Sequence, residues 1–159
     1  MPSFVDSRGN TINLSREIAR GCEGCVFDIQ GNKSSIAKVY FKDIPVDKER
    51  KLFVMPGMVS KDLLAICSWP TEVLFERKGG RLKGFVMPRV DGREIHDLYS
   101  PASRKQLFPQ ADWRFLIHVA RNLAAAVDTI HSHGHVIGDL NQKGILVLQN
   151  GILKLIDCD

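Results

Sequence analysis

His135-Val-Ile-Gly-Asp-Leu-Asn-Gln-Lys-Gly-Ile-Leu-Val-Leu-Gln-Asn-Gly-Ile-Leu-Lys-Leu-Ile-Asp-Cys-Asp159 is the stretch that decides how this chain is read. Asp139 stands just before one short apolar run, Ile145-Leu-Val-Leu148, and Asp157 ends a second, Ile152-Leu-Lys-Leu-Ile156. Gln149-Asn-Gly151 lies between the runs, and two short strands joined through Asn-Gly make a hairpin whose ends come together. Two carboxylates eighteen residues apart then face one small volume.

Upstream of the hairpin the apolar pattern has a helical period. Leu116, Val119, Ala120, Leu123, Ala126, Val127 and Ile130 fall on one stripe, which predicts a helix over Asp112–His133. Asp112 caps its start and Gly134 ends it. The first half of the chain alternates instead. It predicts strands at Thr11–Leu14, Cys25–Ile29 and Ser35–Phe41, and a hairpin of Glu72–Phe75 with Gly84–Met87 around the turn Lys78-Gly-Gly-Arg81. A short charged helix, Asp47–Met55, is inserted before Pro56-Gly57. Tyr99–Pro109, with two prolines and little periodicity, predicts a loop. The expected class is α+β, with a first segment at 1–90 and a second at 91–159.

The 159 residues are 44% hydrophobic and 25% charged, ordinary for a globular protein and enough for one domain, or one full lobe and part of another. The net charge of +4 favours anionic ligands such as nucleotides, but Lys and Arg are scattered, so nucleic acid is not an expected partner. No apolar run approaches the roughly 20 residues of a membrane helix, and the N-terminus lacks a signal-peptide pattern, so a cytoplasmic location away from membranes is expected. Cys22, Cys25, Cys67 and Cys158 are read as reduced thiols. Cys22-x-x-Cys25 has no second pair to complete a zinc site. His131, His133 and His135 have no partner at a familiar ligand spacing.

Ile18-Ala-Arg-Gly21-Cys-Glu-Gly24-Cys-Val26 joins two predicted strands, and glycines there let backbone N–H groups approach phosphate oxygens. Taken alone, the same spacing also fits a plain turn. Lys38 lies within the Ala-Lys-Val strand, where an ammonium either meets an anion or faces solvent at an edge. Glu49 is a carboxylate on the next helix, able to pair with Lys38 or to sit on a solvated face.

In order and spacing these segments resemble the protein-kinase superfamily, and most of all a bacterial kinase-like group found fused to helix-hairpin-helix modules. The resemblance runs from Trp69-Pro70, through Gly84-Phe-Val-Met-Pro88, to Gly138-Asp-Leu-Asn141 and Ile156-Asp-Cys-Asp159. It implies a kinase fold with ATP and magnesium as cofactors, and γ-phosphoryl transfer to a protein Ser/Thr hydroxyl. Asp139 is then the catalytic aspartate, Asp157 the metal-binding aspartate, Lys38 the phosphate lysine and Glu49 its ion-pair partner. Gly21, Gly24 and Val26 belong to the nucleotide loop, with Ala19 in place of its first glycine. Met87 lines the adenine pocket, and the Pro88 carbonyl and Val90 N–H face the adenine edge.

The chain departs from the pattern in four further places. Ile137-Gly138 replaces His-Arg before Asp139, which implies that activation does not run through a phosphorylated loop residue. Gly144 stands where an asparagine normally ligates the second magnesium, and Asn141 is the nearest alternative ligand. Asp159 replaces the glycine of Asp-Phe-Gly. The sequence stops there, so a poor catalyst is expected, with uncovered apolar surface on the long helix that favours self-association. Two further readings are a nucleotide-binding pseudokinase and a non-enzymatic adaptor.

Overall fold

The computed structural model describes residues 2–159, and the chain divides into two compact units. The first holds the chain through Val59, then Trp69–Arg89 and Asp159; the second holds Ser60–Ser68 and Val90–Cys158.

The first unit is built on β1 (Ser3–Val5), β2 (Thr11–Arg20), β3 (Gly24–Ile29), β4 (Asn32–Tyr40), β5 (Glu72–Phe75) and β6 (Leu82–Pro88), with α1 (Val46–Val54) inserted after β4. The strands close into an antiparallel barrel in the order β1-β2-β3-β4-β6-β5, sealed where Val5 pairs with Phe75. Leu14, Ile29, Ala37, Leu74 and Val86 fill the barrel, with Phe27 and Val39 packed against them. Because side chains alternate along a strand, Ile36 and Lys38 then face the other side of β4.

Two glycines permit this sheet. A Cβ on Gly24 would lie 2.3 Å from the Val39 carbonyl oxygen, and one on Gly84 would lie 2.0 Å from that of Lys38. Trp69 is fully buried and its indole Nε1 donates to Met55 O at 2.8 Å, so burial leaves no donor unmet.

The second unit contains α2 (Lys61–Ile66), β7 (Arg93–Glu94), α3 (Ile95–Tyr99), α4 (Pro101–Leu107), α5 (Trp113–Ser132), β8 (Ile145–Val147) and β9 (Leu153–Leu155). The stretch expected to be a loop, Tyr99–Pro109, is largely the helix α4. Pro101 sits in its first turn, where a missing N–H costs nothing. The expected long helix is α5, and the Asp112 carboxylate accepts from Phe115 N at 2.8 Å as its cap.

The expected hairpin is also present. Ile145 pairs with Leu155 and Val147 with Leu153, and Gly151 turns the chain at φ 79°. The stripe of α5 packs on α2 and β9, burying Val119, Ala126 and Ile130. These residues were expected to be uncovered; instead Trp113 and Ile117 are the large exposed apolar residues of this helix. No helix among the described residues is long and apolar enough to cross a membrane.

Candidate active site

In the first unit the strand register sets one row of side chains across the sheet. Ala19 pairs with Val26, Val26 with Lys38, and Lys38 with Phe85. Directly opposed residues share a face, so Ala19, Val26 and Lys38 lie together, and Ile36 and Met87 form the adjacent row. The glycine segment caps the β2–β3 hairpin, with Gly21 N donating to Gly24 O at 2.9 Å. The two glycines differ in what they do. Gly24 is required by the close approach of β4, whereas the nearest atom to a Cβ on Gly21 is 3.8 Å away. Strand β6 ends at Pro88, opposite Ser35, and Arg89 N then donates to Ser34 O at 2.8 Å. Arg89 also pairs with Asp28, which holds the end of this strand to β3. Val90 follows as the first residue of its segment of the second unit.

Lys38 meets the carboxylate of Asp159. Lys38 Nζ donates to Asp159 Oδ1 at 2.7 Å and to Oδ2 at 3.0 Å. Tyr40 donates its hydroxyl to Oδ2, and Lys48 Nζ lies 3.0 Å from the same oxygen. Burial pushes the Asp159 carboxyl up, but the Lys38 charge and hydrogen bond, with Tyr40 and Lys48, outweigh it and hold the pKa at about 2. Both ammonium groups also lie near the Tyr40 ring, with Lys38 Nζ 5.5 Å and Lys48 Nζ 4.8 Å from its centroid.

Glu49 is half-buried on α1 and makes no ion pair with Lys38. The reason is helical phase: adjacent residues point about 100° apart, and Lys48 is the one turned toward Asp159. Neither Asp159 nor Lys48 was identified in the sequence as a Lys38 neighbour. The available signal was the second carboxylate of Asp157-Cys-Asp159.

In the second unit, Asp139 and Asp157 are exposed and flank the β8–β9 hairpin, whose pairing extends to Ile156 N donating to Gly144 O at 2.8 Å. Asp157 has φ 60°, left-handed backbone that an aspartate tolerates better than most residues and that recurs at functional sites. His135 is buried, and its Nε2 lies 3.1 Å from Cys158 O. The carbonyl accepts, so Nε2 carries the proton, and the imidazole holds the backbone beside Asp157. Asn141 Oδ1 accepts from Lys143 N at 2.9 Å and from Gly144 N at 3.3 Å, which folds the loop before β8.

No group of three or more His, Cys, Asp or Glu residues among the described residues could hold a metal by itself. Magnesium in phosphoryl-transfer sites takes one or two carboxylates and completes its shell with phosphate and water, so an exposed Asp157 fits that donor set. Asn141 fits it less well, because its side-chain oxygen already accepts from the two loop amides.

No family model matches the chain. It is 41% identical over 159 residues to protein kinase YegI of Escherichia coli O157:H7, covering 99% of this chain and 25% of that protein. It is 43% identical over 154 residues to protein kinase YegI of Escherichia coli strain K12, covering 96% of this chain and 24% of that protein. The chain therefore spans about a quarter of the length of the curated relatives it matches. Among solved structures, the ROP18 kinase domain in complex with AMP-PNP and sucrose matches 99% of this chain and 54% of that chain, with a TM-score of 0.60 and 16% identity. At that identity the likeness shows the fold alone.

Proposed function

We propose that this chain, which belongs to the protein-kinase superfamily by sequence and fold, binds magnesium-ATP and directs transfer of the γ-phosphoryl group to a Ser/Thr hydroxyl of a protein. One observation carries the reading: the cross-sheet row Ala19–Val26–Lys38–Phe85, which sets Lys38 on the same face as the strand that follows the glycine turn and the strand that leads to Pro88. Such a face supports a nucleotide, with apolar Val26 and Met87 for the base and an ammonium for phosphate. The ROP18 kinase domain, solved in complex with AMP-PNP, supports the choice of ligand.

In this reading Gly21 leaves room for phosphate oxygens, and Lys38 neutralises them. Pro88 O and Val90 N–H meet the adenine edge. Asp157 offers hard carboxylate oxygen to magnesium, which when bound neutralises charge on the phosphates. Asp139 orients the acceptor hydroxyl and takes its proton as transfer proceeds. Gly144 supplies no side chain to a second metal, so slow transfer is expected.

A nucleotide-binding module without turnover is the second reading, favoured by Gly144 and by the engagement of Asn141 Oδ1 with the loop amides. An assay of phosphate transfer separates the two. Calorimetric titration with ATP and magnesium tests the shared part. Lys38→Ala is expected to weaken binding by about 1.5–3 kcal/mol, the scale of a charge-assisted hydrogen bond. Equal affinity in both proteins would remove Lys38 from the site.

A further inference from the structure

We propose that Asp159 is the positioning residue for Lys38, and that with Lys48 and Glu23 it forms a chain of alternating charge tying the lysine to the glycine turn. This is the task that the kinase resemblance gives to Glu49. The proposal rests on the reading of Lys38 as a phosphate contact.

Four observations carry it. Asp159 grips Lys38 Nζ with both carboxylate oxygens, at 2.7 and 3.0 Å, which fixes direction as well as distance. The contacts continue: Lys48 Nζ lies 3.0 Å from Asp159 Oδ2 and 2.7 Å from Glu23 Oε2. Glu23 stands between Gly21 and Gly24, and its carbonyl accepts from Phe41 N at 2.9 Å, so the charge chain ends in an anchored turn. Carboxylate and ammonium alternate along Lys38, Asp159, Lys48 and Glu23, so the buried Asp159 charge has an ammonium on either side and the exposed Glu23 ends the row.

The exposures decide between holding and blocking. The side chains are 2% exposed at Asp159, 12% at Lys38 and 23% at Lys48. A carboxylate plugging a phosphate site would stand on the solvent side of the ammonium. This one is the more deeply buried partner of the pair, with the Tyr40 hydroxyl donating to one oxygen.

The test is ATP affinity, by calorimetry with magnesium, for the wild-type protein and for Lys38→Ala, Asp159→Asn, Asp159→Glu, Glu49→Gln and Lys38→Ala/Asp159→Asn. Asp159→Asn is expected to bind about ten-fold more weakly, the scale of a lost charged hydrogen bond. The double variant should be no weaker than Lys38→Ala, because the second change acts only through Lys38. Asp159→Glu should recover part of the loss, and Glu49→Gln should lose less than Asp159→Asn.

Wild-type or tighter binding by Asp159→Asn beside a weakened Lys38→Ala overturns the proposal and leaves the functional reading intact. Additive losses in the double variant, or a Glu49→Gln loss as large as that of Asp159→Asn, overturn it as well. Unchanged affinity in Lys38→Ala overturns both. If Asp159→Asn does not fold, Lys48→Gln replaces it, with about a three-fold loss expected and unchanged affinity overturning the proposal.

Discussion

Single residues carry more of this site than their types announce. Asp159 has its carboxyl held at about 2, below its ordinary 3.8, so folding favours its charged form. Its contribution to stability is therefore complete above about pH 4 and is lost as pH falls toward 2. The two values differ by about 2 kcal/mol of stability for a side chain this buried. Urea unfolding at pH 6 and at pH 3 should show a drop in the wild type that is smaller in Asp159→Asn; equal drops would place the acid sensitivity elsewhere.

The two loop glycines make a second contrast. Gly24→Ala forces a Cβ against the Val39 carbonyl and should cost about 1–3 kcal/mol by thermal or urea unfolding. Gly21→Ala meets nothing closer than 3.8 Å and should change stability by less than about 0.5 kcal/mol. A reversal of that order would mean that the turn, not the close approach of β4, sets the need for glycine. Asp139, Asp157 and Lys38 stand out as candidates in the sequence because each lies in or beside a short apolar run. The contact of Lys38 with Asp159 does not show there, because it spans 121 positions of chain.

Elements were legible where a local signal agreed with the apolar period. Helix α5 had its Asp cap and its stripe, and the β8–β9 hairpin had Asn150-Gly151. Removing the cap with Asp112→Ala should cost about 1 kcal/mol, read as a lower denaturation midpoint with an unchanged slope. Gly151→Ala should cost more than a surface change, since φ is 79° and the new Cβ would lie 2.7 Å from the His118 ring.

The missed elements are short. Strand β1 has three residues, too few for alternation to register. Helix α2 has six, although Ser60 Oγ accepting from Leu63 N at 3.1 Å is a cap that the sequence offers. Helix α4 lies where two prolines suggest a loop, whereas Pro101 opens a helix.

At the scale of the whole molecule, composition bounded little beyond an ordinary globular chain, and the fold became legible only through the order of the motifs. A closed barrel could not be read from strand patterns, since its closure rests on one pair, Val5 with Phe75. The apolar stripe of α5 was visible, but not that α2 and β9 lie on it.

The proposed function requires phosphoryl transfer that depends on Asp139. The most direct measurement follows γ-labelled phosphate from ATP to a protein acceptor, for the wild type and for Asp139→Asn at matched ATP occupancy. Slow transfer is predicted for the wild type, lowered by about 10²-fold or more in Asp139→Asn while ATP binding persists. Transfer undiminished in Asp139→Asn, or ATP binding with no transfer by the wild type, would contradict it.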